Sequence, residues 1–155
     1  MQEVSVHSCL EAGNATCVVL CDSEHQFYIP VYLEGLAAEL AAETIRGKIS
    51  EEHAVMCDFM LQAWAQTDCA LMFIELDYDV GGLGARTVLC QRNEVAKKFY
   101  QVDTPVPFAL MMADQASLPL VVGETTVRSV GRQSFAELQE TFEELHGKED
   151  NGKEA

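Results

Sequence analysis

Runs of apolar residues, partly alternating with polar ones in the first run and nearly continuous in the second, divide the first part of the chain into three strand patterns. They cover residues 3–10, 15–22 and 25–33, and the turn sequences AGN and DSEH separate them. Alternation with a period of two is typical of strands that turn one face toward a core. The chain is therefore predicted to begin with a three-stranded meander.

Two helical patterns follow this meander. The first runs from about Leu36 to Arg46 and ends at Gly47, and the second begins after Ser50, a residue type that favours helix N-caps. The second helix also has an apolar stripe at helical spacing, which predicts a face buried in the core. The stripe consists of Val55, Met56, Phe59, Met60 and Ala63.

The same order of elements occurs again in the second half of the chain. Strands are predicted at 69–79, 84–92 and 95–103, and a helix is predicted at 106–116. The sequence therefore predicts an α+β fold built from two β3α2 repeats, each with three strands followed by two helices. Because short hairpin turns cannot join parallel strands, we expect one mainly antiparallel, barrel-like sheet with the helices packed outside it.

Length and composition favour one domain. The chain has 155 residues, of which 48% are hydrophobic, enough to bury a single core. A final amphipathic helix is predicted at 134–147, where Ser134 and Glu137 have capping-box spacing. We assign residues 1–133 to the α+β domain, 134–147 to a C-terminal helix packed on it or extending from it, and 148–155 to a disordered acidic tail.

The charge of the chain is strongly negative. It has 25 acidic residues against 10 lysines and arginines, a formal net charge of −15. Such a chain repels phosphates, so the charge disfavours nucleic acid as a partner. No apolar run is long enough for a membrane helix and no secretory signal is present, so we predict a cytoplasmic protein with no membrane partner.

Six cysteines lie mostly in apolar runs and are predicted to be reduced, buried thiols. The alternative is a metal site at Cys17 and Cys21. However, the run ATCVVLC has a strand pattern, and positions four apart in a strand are about 13 Å from each other. Zinc ligands lie about 2.3 Å from the metal, so one zinc ion cannot join these two thiols.

Three segments resemble the bifunctional nuclease domain family. They are YIPVYLEGLAAELAAETIRG at residues 28–47, ISEEHAVMCDFMLQAW at 49–64 and YQVDTPVPFALMMADQASLPLVV at 100–122. The segments occur in the family's order and at nearly constant spacing, and the resemblance covers roughly residues 3–123. It implies a barrel-like sheet built from two β3α2 repeats, homo-oligomers, and DNase and RNase activity in some members.

The most specific motif of that family is only partly present. The family pattern reads Asp-Ala-Arg-Pro-Ser-Asp-Ala before an apolar helix, and here Asp103 and Ala109 match its two ends. Its Arg, Ser and second Asp fall on Pro105, Pro107 and Phe108. The segment is therefore interpreted as a modified polar site that now packs.

A hydrolytic nuclease needs carboxylates or histidines around divalent ions. The best set for such chemistry consists of Asp103, Glu39 and His53 as catalytic residues, with Glu39, Glu43 and Asp103 as ligands of Mg²⁺ or Mn²⁺. Glu39 and Glu43 lie one helical turn apart, so they could share an ion or simply form a solvated helix face. His53 could be a ligand or part of a helix cap.

Two function hypotheses follow. The first is a noncatalytic or weakly active self-associating binding domain, and the alternative is a metal-dependent nuclease that acts on DNA and RNA. We predict a homo-oligomer, most simply a two-fold dimer. The reason is that the apolar helix segments LAAELAA and FALMMA carry more apolar surface than one domain of this size readily covers.

Overall fold

The computed structural model describes residues 1–79, 82–92 and 98–153 and has the predicted α+β class. The strands are β1 Gln2–Ala12, β2 Ala15–Cys21, β3 Tyr28–Glu34, β4 Cys69–Asp79, β5 Gly82–Gln91, β6 Phe99–Thr104 and β7 Leu120–Val122. The helices are α1 Gly35–Arg46, α2 Glu51–Ala65, α3 Val106–Ala116, α4 Glu124–Val130 and α5 Phe135–Lys153. Residues 95–97 of the predicted strand 95–103, and residues 154–155 of the predicted tail, lie outside the described residues.

All described strands belong to one mixed sheet, in the order β3-β2-β1-β7-β4-β5-β6. Among the described residues, five of the six neighbouring pairs are antiparallel, and β4 with β7 is the parallel pair. The short strand β7 joins the two meanders, because it pairs with β1 on one side and with β4 on the other. In the described part of the chain the sheet is open, with β3 and β6 at its edges, so the barrel-like closure and the two repeats stay predictions.

One hydrophobic core joins both halves of the chain. Side chains from β2 and β3 meet side chains from β4, β5 and β7 there, and α1 and α3 pack over them. Every residue of β2 is buried, since Val18 and Leu20 face this core while Cys17 and Val19 face Leu138 and Phe142 of α5. Strand β2 is therefore covered on both faces.

The predicted helix ends of α1, α2 and α5 are confirmed by their caps, with one difference. Gly47 has a left-handed φ of 69°, the Ser50 hydroxyl accepts a hydrogen bond from His53 N, and the Ser134 hydroxyl accepts one from Glu137 N. The backbone of α5 continues to Lys153, although the sequence predicts an end near Gly147. The helix therefore includes Gly147 and Gly152, each of which costs a helix only about 1 kcal/mol relative to alanine.

The prediction that the apolar stripe of α2 is a core face is wrong for four of its five residues, because Val55, Met56, Phe59 and Ala63 are exposed. Val55, Met56 and Phe59 are 62%, 51% and 73% exposed. Instead α2 turns another side inward, where Cys57 is buried and Met60 packs partly against the main core. Periodicity identifies an apolar face, but not what covers it.

The apolar surfaces of α1 and α3 are used inside the domain. Buried residues in these two helices are Ala38, Leu40, Ala41 and Ala42 in α1, and Ala109, Leu110, Met111, Met112 and Ala113 in α3. The two helices pack against each other and onto the sheet. Apart from the exposed Leu36 and Glu39, the segments LAAELAA and FALMMA are therefore mostly buried inside the domain, and the homo-oligomer stays a prediction that they do not support. None of the described helices is long and apolar enough to cross a bilayer.

Candidate functional site

Two of the predicted site residues meet where α1 is followed by α2. His53 Nδ1 lies 2.8 Å from Glu43 Oε2. Ionised carboxylates only accept hydrogen bonds, so the ring nitrogen is the donor. The same carboxylate oxygen accepts a hydrogen bond from Ser50 N at 3.4 Å, while Ser50 Oγ caps His53 N at 3.3 Å. Glu43, Ser50 and His53 thus form a small network that ties the end of α1 to the start of α2.

This network sets the electrostatics of the corner. The hydrogen bond from His53 lowers the pKa of the Glu43 carboxyl below its ordinary value of 4.5, and the backbone N–H of Ser50 acts in the same direction. Both side chains keep some contact with solvent, at 24% exposure for His53 and 32% for Glu43. Hydrogen bonds from the N-terminal end of α2 therefore stabilise the charged form of the Glu43 carboxylate.

Glu39 is exposed one turn earlier on α1. It lines a cleft of about 290 Å³ between α1 and the turn that joins β1 to β2, together with Glu43 and Glu11. Arg46 lies in the same cleft and forms an ion pair with Glu11. The cleft therefore has mixed charge, with an arginine among its carboxylates.

Asp103 lies on a different element from the other predicted site residues. It is exposed on β6, where it pairs in register with Arg86 of β5. Arg86 donates hydrogen bonds to two acids of β4. Its Nη2 atom lies 3.0 Å from Glu75 Oε1 and 3.0 Å from Asp77 Oδ2. Residues opposite each other in an antiparallel ladder share a face, so Asp103 and Arg86 lie on the same side of the sheet.

Among residues 1–79, 82–92 and 98–153, no group of three or more histidine, cysteine or acidic side chains is arranged to hold a metal ion. The structure brings Glu43 and His53 together and puts Glu39 beside Glu43 in one cleft. It does not join Asp103 to them in such a group. The assignment of Glu39, Glu43 and Asp103 as Mg²⁺ or Mn²⁺ ligands stays a prediction.

The segment after Asp103 packs as the interpretation of its motif predicts. Pro105 occupies the N-cap of α3, Pro107 follows within its first turn, and Phe108 is half-buried. Proline suits these positions because the first turn of a helix has no intrahelical partner for its backbone N–H groups. Ala109 is fully buried one residue later, so the start of α3 is a packed corner.

Two larger clefts contain none of the four predicted site residues. One of about 610 Å³ lies beside β1 and the end of α3, with Ile45, Leu110 and Asp114 among its lining residues. Another cleft, of about 460 Å³, has Tyr32, Tyr78 and Arg132 among its lining residues. Both volumes fall in the range of small-molecule sites.

Groups of three large apolar side chains reach solvent on α2 and on β6, and the sequence reading missed both groups. On α2 they are Val55, Met56 and Phe59, and on β6 they are Phe99, Tyr100 and Val102, at 60%, 45% and 38% exposure. Arg86 was also missed as the partner of the β4 acids. The hairpin could have revealed it, since pairing Asp79 with Gly82 puts Glu75 opposite Arg86.

Comparison of the chain with protein-family models gives no match, and comparison with curated proteins gives none either. The resemblance to the bifunctional nuclease domain family stays a prediction that rests on the three sequence segments.

Proposed function

We propose that the chain is a self-associating domain, related to the bifunctional nuclease domain but without nuclease catalysis. The observation that carries the proposal is the apolar face of α2, formed by Val55, Met56 and Phe59. These three side chains are 62%, 51% and 73% exposed within five residues of one helix, and a contiguous exposed apolar patch often marks an interaction site. The occupant that fits this face is a second copy of the chain.

The charges along α2 permit a second copy as the occupant if the two helices are antiparallel. The helix has Glu51, Glu52 and Asp58 and no lysine or arginine, and two of these acids lie in its first turn. In an antiparallel pair of α2 helices, the acidic first turn of each helix faces the uncharged segment after Phe59 of the other. The apolar faces then meet at the middle of the contact while the acidic ends stay apart.

The order of the strands supports a related scaffold. The meanders β1-β2-β3 and β4-β5-β6 lie on either side of β7, and the first strand of each has a one-residue irregularity in its pairing with the second. The register shifts fall between Val6 and Ser8 in β1 and between Leu71 and Phe73 in β4. We include in the proposal that the two halves are copies of one β3α2 unit around a barrel-like sheet.

The chemistry of the corner supports a noncatalytic role. The Arg, Ser and Asp of the family's motif are replaced by Pro105, Pro107 and Phe108, and the Glu43–His53 pair joins two helices. The net charge of −15 adds repulsion toward DNA and RNA.

The first experiment measures the molar mass of the protein between about 1 and 100 µM by light scattering and analytical ultracentrifugation. We expect a homo-oligomer that Phe59→Ser weakens at least tenfold in dissociation constant, since the substitution removes the largest exposed side chain of the face. Leu36→Ser is the matched control, because Leu36 is 65% exposed on another helix. A wild-type monomer at every concentration, or equal effects of the two substitutions, would contradict the proposal.

The second experiment tests the alternative of a metal-dependent nuclease. Purified protein is incubated with single-stranded DNA, double-stranded DNA and RNA with Mg²⁺ or Mn²⁺ at both low and moderate salt, because added salt screens the repulsion between an acidic protein and nucleic acid. We expect no cleavage above that of a mock purification. Cleavage that requires the metal and is abolished by Asp103→Asn or Glu39→Gln would establish the nuclease instead.

A further inference from the structure

Strand β6 ends the sheet with its outer edge open. In the described part of the chain it pairs with β5 alone, and residues 99–103 are all exposed. The opposite edge, β3, is partly covered. Tyr28 and Arg132 exchange two backbone hydrogen bonds there, and Pro30 of β3 has no N–H to offer another strand. An open edge strand offers unpaired N–H and C=O groups to another strand.

Alternate residues of β6 direct their backbone N–H and C=O groups toward that open edge. Gln91 N donates to Lys98 O at 3.0 Å, so Gln91 and Lys98 are a hydrogen-bonded pair of the β5–β6 ladder. Hydrogen bonding alternates along an antiparallel ladder, so Tyr100, Val102 and Thr104 also direct their backbone groups toward β5. Phe99, Gln101 and Asp103 therefore present theirs to the open edge.

The side chains of β6 fit a second copy of the same strand. Tyr100 and Val102 pair with Leu89 and Thr87 of β5, which are buried, so both lie on the core-facing side of the sheet. They are nevertheless 45% and 38% exposed. An antiparallel copy centred on Gln101 would set each Tyr100 opposite the Val102 of the other chain.

From this geometry we propose that two copies of the chain join edge to edge through β6, with Gln101 on the two-fold axis. In this register all three outward-facing residues take part, since Gln101 pairs with itself and Phe99 pairs with Asp103 of the other copy. The pairing adds about six main-chain hydrogen bonds. Moving the register one step toward the C-terminus brings in Pro105, which has no N–H to donate.

Charge also favours this edge as the place where two acidic chains meet. Residues 98–104 contain one lysine and one aspartate, so the strand is locally neutral in a chain of net charge −15. The two Asp103 residues would be offset by four positions, about 13 Å along the strands. That distance exceeds the screening length at physiological salt.

This inference rests on the proposed function, self-association, but it concerns a separate surface. The α2 face and the β6 edge are both self-complementary, and two such surfaces on one chain permit assemblies larger than a dimer. A substitution in one surface leaves the other intact, so the two can be tested apart.

Cysteine cross-linking of the full chain tests the register. Gln101→Cys would put two thiols on the axis with Cα atoms about 5.5 Å apart, within disulfide range. We expect mild oxidation to give a covalent dimer for this variant, and no more cross-linking for Tyr100→Cys or Val102→Cys than for the wild type with its six cysteines. Stronger cross-linking through Tyr100→Cys or Val102→Cys, or none through Gln101→Cys, overturns the proposed register.

Blocking the edge tests the interface itself. Gln101→Pro removes an N–H that faces outward and leaves the bonds to β5 in place, so we expect at least a tenfold weaker assembly by ultracentrifugation. Gln101→Thr is the control and should assemble as the wild type does. If circular dichroism finds Gln101→Pro misfolded, Val102→Lys replaces it, since an edge lysine disfavours strand pairing. A folded blocking variant that assembles normally overturns the proposal, whether or not Phe59→Ser weakens assembly.

Discussion

At the scale of single residues, the clearest electrostatic feature is the pair formed by Glu43 and His53. The sequence predicts both residues as candidate catalytic or metal-binding residues, and in the structure they form a hydrogen bond between two helices. Glu43 accepts hydrogen bonds from the His53 ring and from Ser50 N, which join two helices through their ends. A carboxylate bound in this way is stabilised in its charged form, which lowers its pKa.

The lowered pKa predicts a loss of stability in acid. Because the Glu43 pKa is lower in the folded chain than in the unfolded chain, the contribution is present above pH of about 4.5 and is lost as the pH falls through the folded value. We expect Glu43→Gln to be less stable than the wild type at pH 6, and the difference to shrink toward pH 3. Urea unfolding at several pH values measures this. Glu39→Gln, one turn away on the same helix, is the control, and a difference that grows in acid would contradict the assignment.

At the scale of elements, the sheet depends on short connections that the strand patterns do not reveal. Strand β7 has only three residues, yet it joins both meanders. The segment after α4 has a similar role at the β3 edge, where Arg132 N donates to Tyr28 O and Tyr28 N donates to Arg132 O. Gly131 leads into this bridge, and Gly131 N donates to Val127 O at 2.8 Å.

Gly131 is predicted to be required for this connection. A Cβ atom at position 131 would lie 2.3 Å from the backbone oxygen of Val127, so the chain would have to move and the bridge to Tyr28 would weaken. We expect Gly131→Ala to lower the free energy of unfolding by about 1–3 kcal/mol in denaturant titrations. Gly123→Ala, at the other end of α4, meets nothing within 4 Å and should change it by less than about 1 kcal/mol. Equal effects would show that the close approach is relieved without cost.

At the scale of the whole molecule, the net charge of −15 opposes any contact between two copies. This opposition is smallest at the β6 edge, whereas α2 carries Glu51, Glu52 and Asp58 and no lysine or arginine. The β6 edge is locally neutral, and the middle of the α2 face is apolar with Asp58 beside it. The remaining repulsion acts over distance and is reduced by salt.

Self-association should therefore become stronger with added salt. Raising sodium chloride from 50 to 500 mM shortens the screening length from about 14 to about 4 Å, so we expect the dissociation constant to fall several-fold in ultracentrifugation. Equal ionic strengths of potassium chloride should have the same effect, because screening depends on ionic strength. Weaker association at high salt would mean that ion pairs, rather than apolar and backbone contacts, hold the copies together.

The sequence by itself determined the local structure of this protein. Turn residues separate the strands, Gly47 ends α1 in the left-handed conformation that glycine adopts without strain, and Ser50 caps α2. Continuous apolar runs such as ATCVVLC predicted buried strand residues, and β2 is buried throughout. These features depend on neighbours in the chain, so the chain alone specifies them.

Only the tertiary structure decided which faces are covered and which side chains meet. Val55, Met56 and Phe59 have the spacing of core residues, but α1 and α3 fill the core and leave that face of α2 in solvent. The sequence predicts that Asp103 shares a metal site with Glu39 and Glu43, but the sheet puts Asp103 in register with Arg86 of β5. Periodicity and motifs describe one element at a time, whereas burial and clustering depend on how distant elements pack together.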